Sequence, residues 1–202
     1  MIITQLVPAR KKLVSVYIDG EYAMKLDAQV LEENCIRPGS ELDDEELHEL
    51  IKKSEYKRAK EKALFLLSGR DYPRKKLLEK LRSESGEDAA EQVVERMEEL
   101  GLVNDEDYAR RLAHDLLYIK KMSERGAMYK LMEKGIDREL AEEVLAEFEV
   151  DPVEQLTELI EKKYANKLED EKDRRRTIAA LQRLGYSWGD IKAALEIVEE
   201  DW

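Results

Sequence analysis

Three runs of consecutive carboxylates are the residues of this chain best suited to chemistry, because carboxylate oxygens bind Mg²⁺ and can act as general bases. They are Asp43–Glu46, Glu169–Glu171 and Glu199–Asp201. A metal cage needs acids that converge on one point, whereas consecutive acids on a helix point in different directions. We therefore interpret the runs as solvated helix ends. An enzyme that uses these carboxylates is the weakest hypothesis. It would be supported by a metal-dependent nuclease activity that survives replacement of the basic clusters by alanine.

Other patterns that carry catalysis or bind cofactors are missing from the sequence. His48 and His114 stand alone, and Cys35 has no cysteine partner. Neither a GxxxxGKS/T phosphate loop nor a GxGxxG dinucleotide motif occurs. We expect no catalytic residue, no metal site and no cofactor, and we expect Cys35 to be a small packed side chain.

Basic residues form the more informative pattern. Residues 57–82 contain ten Lys or Arg and three acids, a local charge of +7. Two interpretations stay open: a surface neutralised by neighbouring glutamates, or electrostatic contact with an acidic partner or with phosphates. The candidates for contact with a partner or with DNA are Arg70, Arg74, Lys75, Lys76, Lys80, Lys120, Lys121, Arg125, Lys130, Arg174, Arg175 and Arg176.

Composition favours a helical protein. The 202 residues are 43% hydrophobic and 41% charged, with only 6% aromatic residues, nine Gly and four Pro. The net charge of −12 argues against a general nucleic-acid coat. One cysteine, no signal peptide and no long apolar run together predict a cytoplasmic protein that does not enter a membrane.

The first 42 residues differ from the remainder and predict a small β segment. Leu13–Ile18 is rich in β-formers, Asp19-Gly20 suits a two-residue hairpin turn, and Glu21–Leu26 alternates polar with mostly apolar residues. Ile2–Val7 can add a third strand. A helix is expected to begin near Asp43, after the break at Pro38-Gly39.

The remainder of the chain has helical periodicity and repeats three times. Glycines that end a helix recur at Gly86, Gly135 and Gly185, separated by 49 and 50 residues. The predicted domains are 1–42 (β segment), 43–103 (a helix plus three-helix repeat 1), 104–149 (repeat 2) and 150–202 (repeat 3). The fold class is mainly α: an elongated array of tandem three-helix repeats after a small β-hairpin or sheet.

Caps and apolar stripes support these boundaries. Basic residues are expected to start each middle helix, and an apolar stripe to follow on each third helix. The stripes are Val93/Val94/Met97/Leu100, Ala141/Val144/Leu145/Phe148 and Ile191/Ala194/Leu195/Val198. The predicted caps are Asn104, Asp137, Ser187 with Asp190, and Asp151 before Pro152.

Aromatic residues near helix ends have two possible roles. Tyr118, Tyr129, Tyr164, Tyr186 and Trp188 could anchor a partner, since aromatics dominate interface hot spots. Packing between repeats is the favoured interpretation. Tyr186 and Trp188 follow the helix-ending Gly185, where a hydrophobic contact with the preceding helix is expected.

Three segments resemble the RecX family of regulators, in order and in register with the repeat. Ala63–Leu77 resembles the opening motif, Gly101–Ala109 the second and Lys130–Ile136 the third. The resemblance covers residues 55–200. Tyr72-Pro73 departs from the small polar residue that the family often has there, but proline is tolerated in a first helical turn.

The resemblance implies a non-enzymatic protein of tandem three-helix repeats that binds RecA and its filament on single-stranded DNA. It implies modulation, and inhibition above all, of filament growth, strand exchange and ATP hydrolysis. We expect a monomer. The alternative hypothesis is a protein that binds DNA directly without RecA, for which the basic stretch 57–82 is the reason; such binding would weaken steeply with salt.

Overall fold

The computed structural model describes residues 1–200, which contain a three-stranded antiparallel sheet and ten α-helices. The chain divides into two compact units, residues 1–103 and residues from 104 onward. Each unit has its own apolar cores.

The first unit opens with a meander of three strands, as the sequence predicts: β1 (Ile3–Pro8), β2 (Leu13–Ile18) and β3 (Glu21–Asp27). The turn between β2 and β3 has positive φ at Asp19 (49°) and Gly20 (91°), the geometry of a two-residue hairpin. Val16 of the central strand is fully buried and pairs with Leu6 and Met24 on either side.

A short helix that the sequence did not predict, α1 (Ala28–Glu33), follows the sheet directly. Its cap is Asp27, whose buried carboxylate accepts hydrogen bonds from Gln29 N and Val30 N. The same carboxylate forms a 3.0 Å ion pair with Lys57, and Asp27 N donates to Ser54 Oγ at 2.8 Å. Both partners lie on the next helix, so this cluster ties the sheet to it.

That next helix, α2 (Asp44–Gly69), is 26 residues long and belongs to two cores. Leu50, near its start, packs with the sheet and α1, whereas Ala59 and Ala63 pack with α3 (Arg74–Ser85) and α4 (Glu87–Glu99). The helix predicted ahead of repeat 1 and the first helix of repeat 1 are thus one continuous helix. It begins at a capping box of Asp43 with Glu46, close to the predicted start.

The second unit contains six α-helices within residues 104–200. A π-helical turn at Asp115–Ile119 extends the first of them, and a 3₁₀ turn at Ala165–Lys167 follows the fourth. The helices are α5 (Asp105–His114), α6 (Glu124–Lys134), α7 (Arg138–Ala146), α8 (Pro152–Lys163), α9 (Glu171–Arg183) and α10 (Trp188–Glu200).

The predicted fold class is confirmed: three-helix repeats follow a small antiparallel sheet. The middle helices α3, α6 and α9 each bury a leucine completely, at Leu81, Leu131 and Leu181. Gly135 and Gly185 have the predicted left-handed φ, 99° and 97°. Gly86 also has a positive φ, 79°, but its ψ of 167° is not that of a left-handed helix, and this one residue both ends α3 and starts α4.

Most predicted caps are present. Asn104 accepts from Asp107 N, Asp151 precedes Pro152 at the start of α8, and Ser187 and Asp190 hydrogen-bond reciprocally. Asp137 occupies the cap position of α7, but its side chain makes no capping hydrogen bond.

Three local predictions were wrong. Leu100 is 48% exposed because α4 ends before it, and Cys35 is exposed on a turn with φ 55° instead of packed. Arg174–Arg176 do not start α9, which begins at Glu171 after the cap Asp170, so they lie one turn inside it.

No helix within residues 1–200 combines the length and apolar character that a membrane span requires. Within the same residues, no group of three or more His, Cys, Asp or Glu side chains is placed to hold a metal ion.

Candidate interaction surface

Seven of the twelve candidate basic residues form ion pairs within the protein. Lys76 pairs with Glu79 at 2.8 Å, and Lys121 pairs with Glu158 at 3.5 Å. The seven are Arg74, Lys76, Lys121, Lys130, Arg174, Arg175 and Arg176. Partly exposed pairs of this kind add little stability, but they reduce the charge available to a partner.

Arg74 is the most constrained of these residues. Its guanidinium lies 3.1 Å from Glu91 and 3.2 Å from Glu98, so it bridges the first turn of α3 to α4. A cation in a first helical turn is repelled by the helix dipole, and α3 has no acid in that turn. The two glutamates of α4 offset the repulsion, which makes Arg74 a structural bridge.

The three arginines of repeat 3 are held in the same way. Arg174 pairs with Glu199 and joins α9 to α10, while Arg175 pairs with Glu171 and Arg176 with Asp173 within α9. Their side chains are therefore committed to neighbouring acids.

The other five candidates are exposed and have no ion pair within residues 1–200. Arg70 and Lys80 lie over the ring of Tyr72, at 4.6 Å and 5.8 Å from its centroid. Lys75, Lys120 and Arg125 make no side-chain hydrogen bond with any residue that the structure describes. No carboxylate within residues 1–200 neutralises the charge of these five residues through an ion pair.

Arg125 lies in a groove of about 630 Å³ between α6, α7 and the end of α9. Met128, Tyr129 and Met132 follow Arg125 at spacings of three and four, so one face of α6 forms the floor of the groove. Tyr129 is 68% exposed and Met132 is 46% exposed. We call this the α6 groove.

Cations surround the α6 groove. The basic residues that line it are Arg125, Lys130, Arg138 and Arg183, and Glu142 is the acid among the lining residues. Lys130 hydrogen-bonds Glu133 at 2.7 Å, which raises the pKa of the ammonium group, so it is charged at neutral pH. A cationic groove with a methionine and tyrosine floor suits an acidic segment that also carries apolar side chains.

Two glycines shape the neighbouring junction. Ser123 N donates to Leu184 O at 3.1 Å, which brings the start of α6 against the end of α9. A Cβ on Gly126 would lie 2.2 Å from Leu184 O, and one on Gly185 would lie 2.6 Å from Gly126 Cα. No side chain fits at either position, so both glycines are required for this approach.

A buried hydrogen-bond network reinforces the junction. Gln155 of α8 donates to Leu117 O at 2.7 Å, a carbonyl in the π-helical turn. The Tyr186 hydroxyl hydrogen-bonds both Gln155 Oε1 and Lys121 O, the latter at 3.0 Å. Burial raises the pKa of Tyr186, with a smaller contribution from Asp190, so the hydroxyl stays protonated. The network holds α8 and the loop before α6 in fixed positions.

The aromatic residues divide between the two predicted roles. Tyr186 is buried in the junction, and Tyr164 packs partly into the core of repeat 3. Tyr118 is 38% exposed and contacts Phe148. Tyr129 and Trp188 are exposed, so the expectation that Trp188 clasps the glycine stop was wrong.

Sequence reasoning missed Arg138 and Arg183 as groove residues. Each lies at a helix end, Arg138 first in α7 and Arg183 last in α9, and the two ends meet only in the folded unit. The one usable signal was the second apolar stripe of α6, Met128, Tyr129 and Met132, beside its core stripe of Ala127 and Leu131.

Comparisons with known proteins agree on one family. Models of the second and third three-helix domains of RecX match residues 104–145 and 149–195. The regulatory protein RecX of Clostridioides difficile strain 630 is 30% identical over 185 residues, covering 90% of this chain and 87% of that protein. The RecX of Bacillus subtilis strain 168 is 29% identical, covering 92% of this chain and 72% of its own length.

Solved structures show the same fold. A crystal structure of a regulatory protein RecX covers 98% of both chains with a TM-score of 0.63 at 19% identity. The crystal structure of RecX from Lactobacillus salivarius covers 72% of this chain and 97% of its own, with a TM-score of 0.61 at 25% identity. By the extent and identity of the sequence match, this chain belongs to the RecX family of regulatory proteins.

Proposed function

We propose that this protein is a cytoplasmic regulator of homologous recombination that binds RecA and its filament on single-stranded DNA and inhibits filament growth, strand exchange and ATP hydrolysis. The observation that carries the proposal is the family relationship, which extends over 90% of the chain. No catalytic residue takes part in this function, which needs only a binding surface.

The α6 groove is the docking site that we propose for RecA. Arg125 and Lys130, two of the sequence candidates, line it together with Arg138 and Arg183. Lys75 and Lys120 are exposed and without ion pairs in the described chain, so they supply further contacts. Three of the paired candidates, Arg74, Lys121 and Arg174, join neighbouring elements, and a partner would have to break those ion pairs to use them.

Inhibition follows if the groove binds one state of RecA better than another. A protein with no enzymatic activity shifts an assembly equilibrium only by its differential affinity for the two states. Preference for a RecA surface present at the filament end, or for a filament geometry that hydrolyses ATP slowly, would lower both growth and turnover.

The test is RecA-dependent ATP hydrolysis on single-stranded DNA with increasing amounts of this protein, together with co-sedimentation on filaments. We expect the wild type to inhibit and Arg125→Glu to need an about tenfold higher concentration, because Arg125 is an exposed cation of the groove. Lys172→Glu is the matched control: Lys172 is exposed on α9, outside the residues that line the groove.

Inhibition by Arg125→Glu equal to that of Lys172→Glu would reject the groove as the docking site. Absence of any effect of the wild type on ATP hydrolysis, filament length and co-sedimentation would reject the proposed function itself.

A further inference from the structure

The turn between β1 and β2 has a backbone that its residues disfavour. Lys11 and Lys12 both have positive φ, 60° and 59°, in a turn closed by a hydrogen bond from Ala9 N to Leu13 O. Asparagine and glycine are the usual residues at two consecutive left-handed positions. Here two lysines follow Arg10, so the tip of the turn carries three positive charges.

This turn lies against the middle of α2. Lys12 Nζ is 3.7 Å from the Glu61 carboxylate, and Glu84, near the end of α3, contacts the same stretch of α2. Arg58 donates to Glu84 O at 2.8 Å, and Lys62 pairs with the Glu84 carboxylate at 3.1 Å. The hydrogen bond from Lys62 lowers the pKa of Glu84, and the charges of Lys11 and Arg58 act in the same direction. Cations from the turn and from α2 therefore meet on one surface.

Phe65 lies one helical turn farther along the same face of α2. It follows Glu61 by four residues and Lys62 by three, so the three side chains are neighbours. The ring is 73% exposed, the highest value among the large hydrophobic side chains that the structure describes. An exposed phenylalanine leaves most of its apolar surface in water and so contributes little to the stability of the fold.

These features are specific to one part of a strongly acidic protein. The chain carries −12 overall, yet four cations, Lys11, Lys12, Arg58 and Lys62, lie near two carboxylates, Glu61 and Glu84, so this part of the surface has an excess of positive charge. We call Lys11, Lys12, Arg58, Lys62 and Phe65 the α2 surface. An anionic ligand that offers a flat face to the aromatic ring fits this surface.

We propose that the α2 surface binds single-stranded nucleic acid without RecA, with a base stacked on Phe65 and the phosphates next to the β1–β2 turn and Arg58. Unpaired bases stack on exposed aromatic rings while lysines and arginines follow the backbone. A duplex hides its base faces, and an acidic peptide offers the charge without a stacking face. The N-terminal sheet then has a role: it presents the lysines of the turn to α2.

The test is fluorescence anisotropy of a labelled oligothymidylate titrated with the full-length protein in the absence of RecA. We expect Phe65→Ala to lower the affinity about tenfold, as the loss of one stacked base does. Ile119→Ala is the matched control, because Ile119 is 71% exposed and lies in the other unit. Phe65→Trp should restore binding, whereas Phe65→Leu should not, since leucine keeps apolar surface but has no ring.

The salt dependence tests the lysines separately. With Lys11→Gln/Lys12→Gln, the slope of log affinity against log salt should become shallower by about 1.4, because two phosphate contacts are lost at about 0.7 each. Lys60→Gln is the control: Lys60 is exposed on the opposite face of α2 and should leave the slope unchanged.

Several outcomes overturn the proposal. These are no binding by the wild type, equal binding by Phe65→Ala and Ile119→Ala, binding restored by Phe65→Leu, or displacement of the oligonucleotide by polyglutamate at equal charge. Because RecA is absent, failure here leaves the proposed regulation of RecA standing, and failure of that regulation leaves this binding intact. Circular dichroism of each variant separates lost binding from lost folding.

Discussion

The α6 groove and the α2 surface contain the same kinds of residue, but the first is concave and the second is the exposed face of one helix. Each has an exposed aromatic, Tyr129 or Phe65, among several cations. The groove is concave, has methionines on its floor and lies beside a junction built on Gly126 and Gly185. The α2 surface is one helix face beside a strained turn. Shape therefore separates their ligands: a concave methionine floor suits a protein segment, and a helix face with one ring suits a strand of bases.

The largest loss of stability should come from Gly126→Ala, which changes the α6 groove and leaves the α2 surface unchanged. The new Cβ would lie 2.2 Å from a backbone carbonyl, so α6 and α9 must move apart, at a cost of about 3 kcal/mol in the free energy of unfolding. Urea unfolding measures this, and inhibition of RecA should weaken in parallel. Gly69→Ala is the control, because no atom lies within 4 Å of its Cβ position.

Binding of oligothymidylate by Gly126→Ala should match the wild type. A parallel loss of both activities would show that the two surfaces are not independent and would break the comparison.

A smaller effect is expected when the buried network is opened by Gln155→Met. The Leu117 carbonyl and the Tyr186 hydroxyl lose a buried partner each, and an unsatisfied buried group costs about 2 kcal/mol. The readout is the same urea titration, with Gln182→Met as the control, since Gln182 is exposed on α9. Equal stabilities for the two variants would mean that the network does not hold the junction.

The smallest expected change in stability concerns the β1–β2 turn beside the α2 surface. Lys11→Asn/Lys12→Gly should raise the free energy of unfolding by about 1 kcal/mol, because asparagine and glycine accept positive φ. The same change removes two charges and should weaken oligothymidylate binding. A more stable protein that binds normally would contradict a functional reason for keeping lysines there.

Much of the fold was predictable because its signals are local. Asp19-Gly20 specifies a hairpin turn, and the glycines that end helices recur at the repeat length. The α1 helix was missed because six residues are too few to display a helical period. The π-helical turn at Asp115–Ile119 was not predicted, and the Leu117 carbonyl within it accepts a hydrogen bond from Gln155, a partner 38 residues away that no local pattern reveals.

The sequence identifies which residues of the interaction surface are basic, but not which of them remain without an ion pair in the folded protein. Arg74 and Lys75 are adjacent in the sequence and both positively charged, yet Arg74 pairs with glutamates 17 and 24 residues away while Lys75 is exposed. Only packing decides which charge is neutralised. The exposed aromatics Phe65 and Tyr129 sit in apolar stripes, where sequence patterns favour a place in the core.

The length of α2 has a consequence for shortened forms of the protein. Its first half completes the core of the sheet, and its second half completes the core of repeat 1, without a break between them. Deleting the leading 43 residues would expose Leu47, Leu50 and Ile51 on a helix that is otherwise intact. The exposed apolar face would favour self-association. A fragment without an exposed core must therefore keep the sheet with all of α2, or begin at Asn104, where the second compact unit starts.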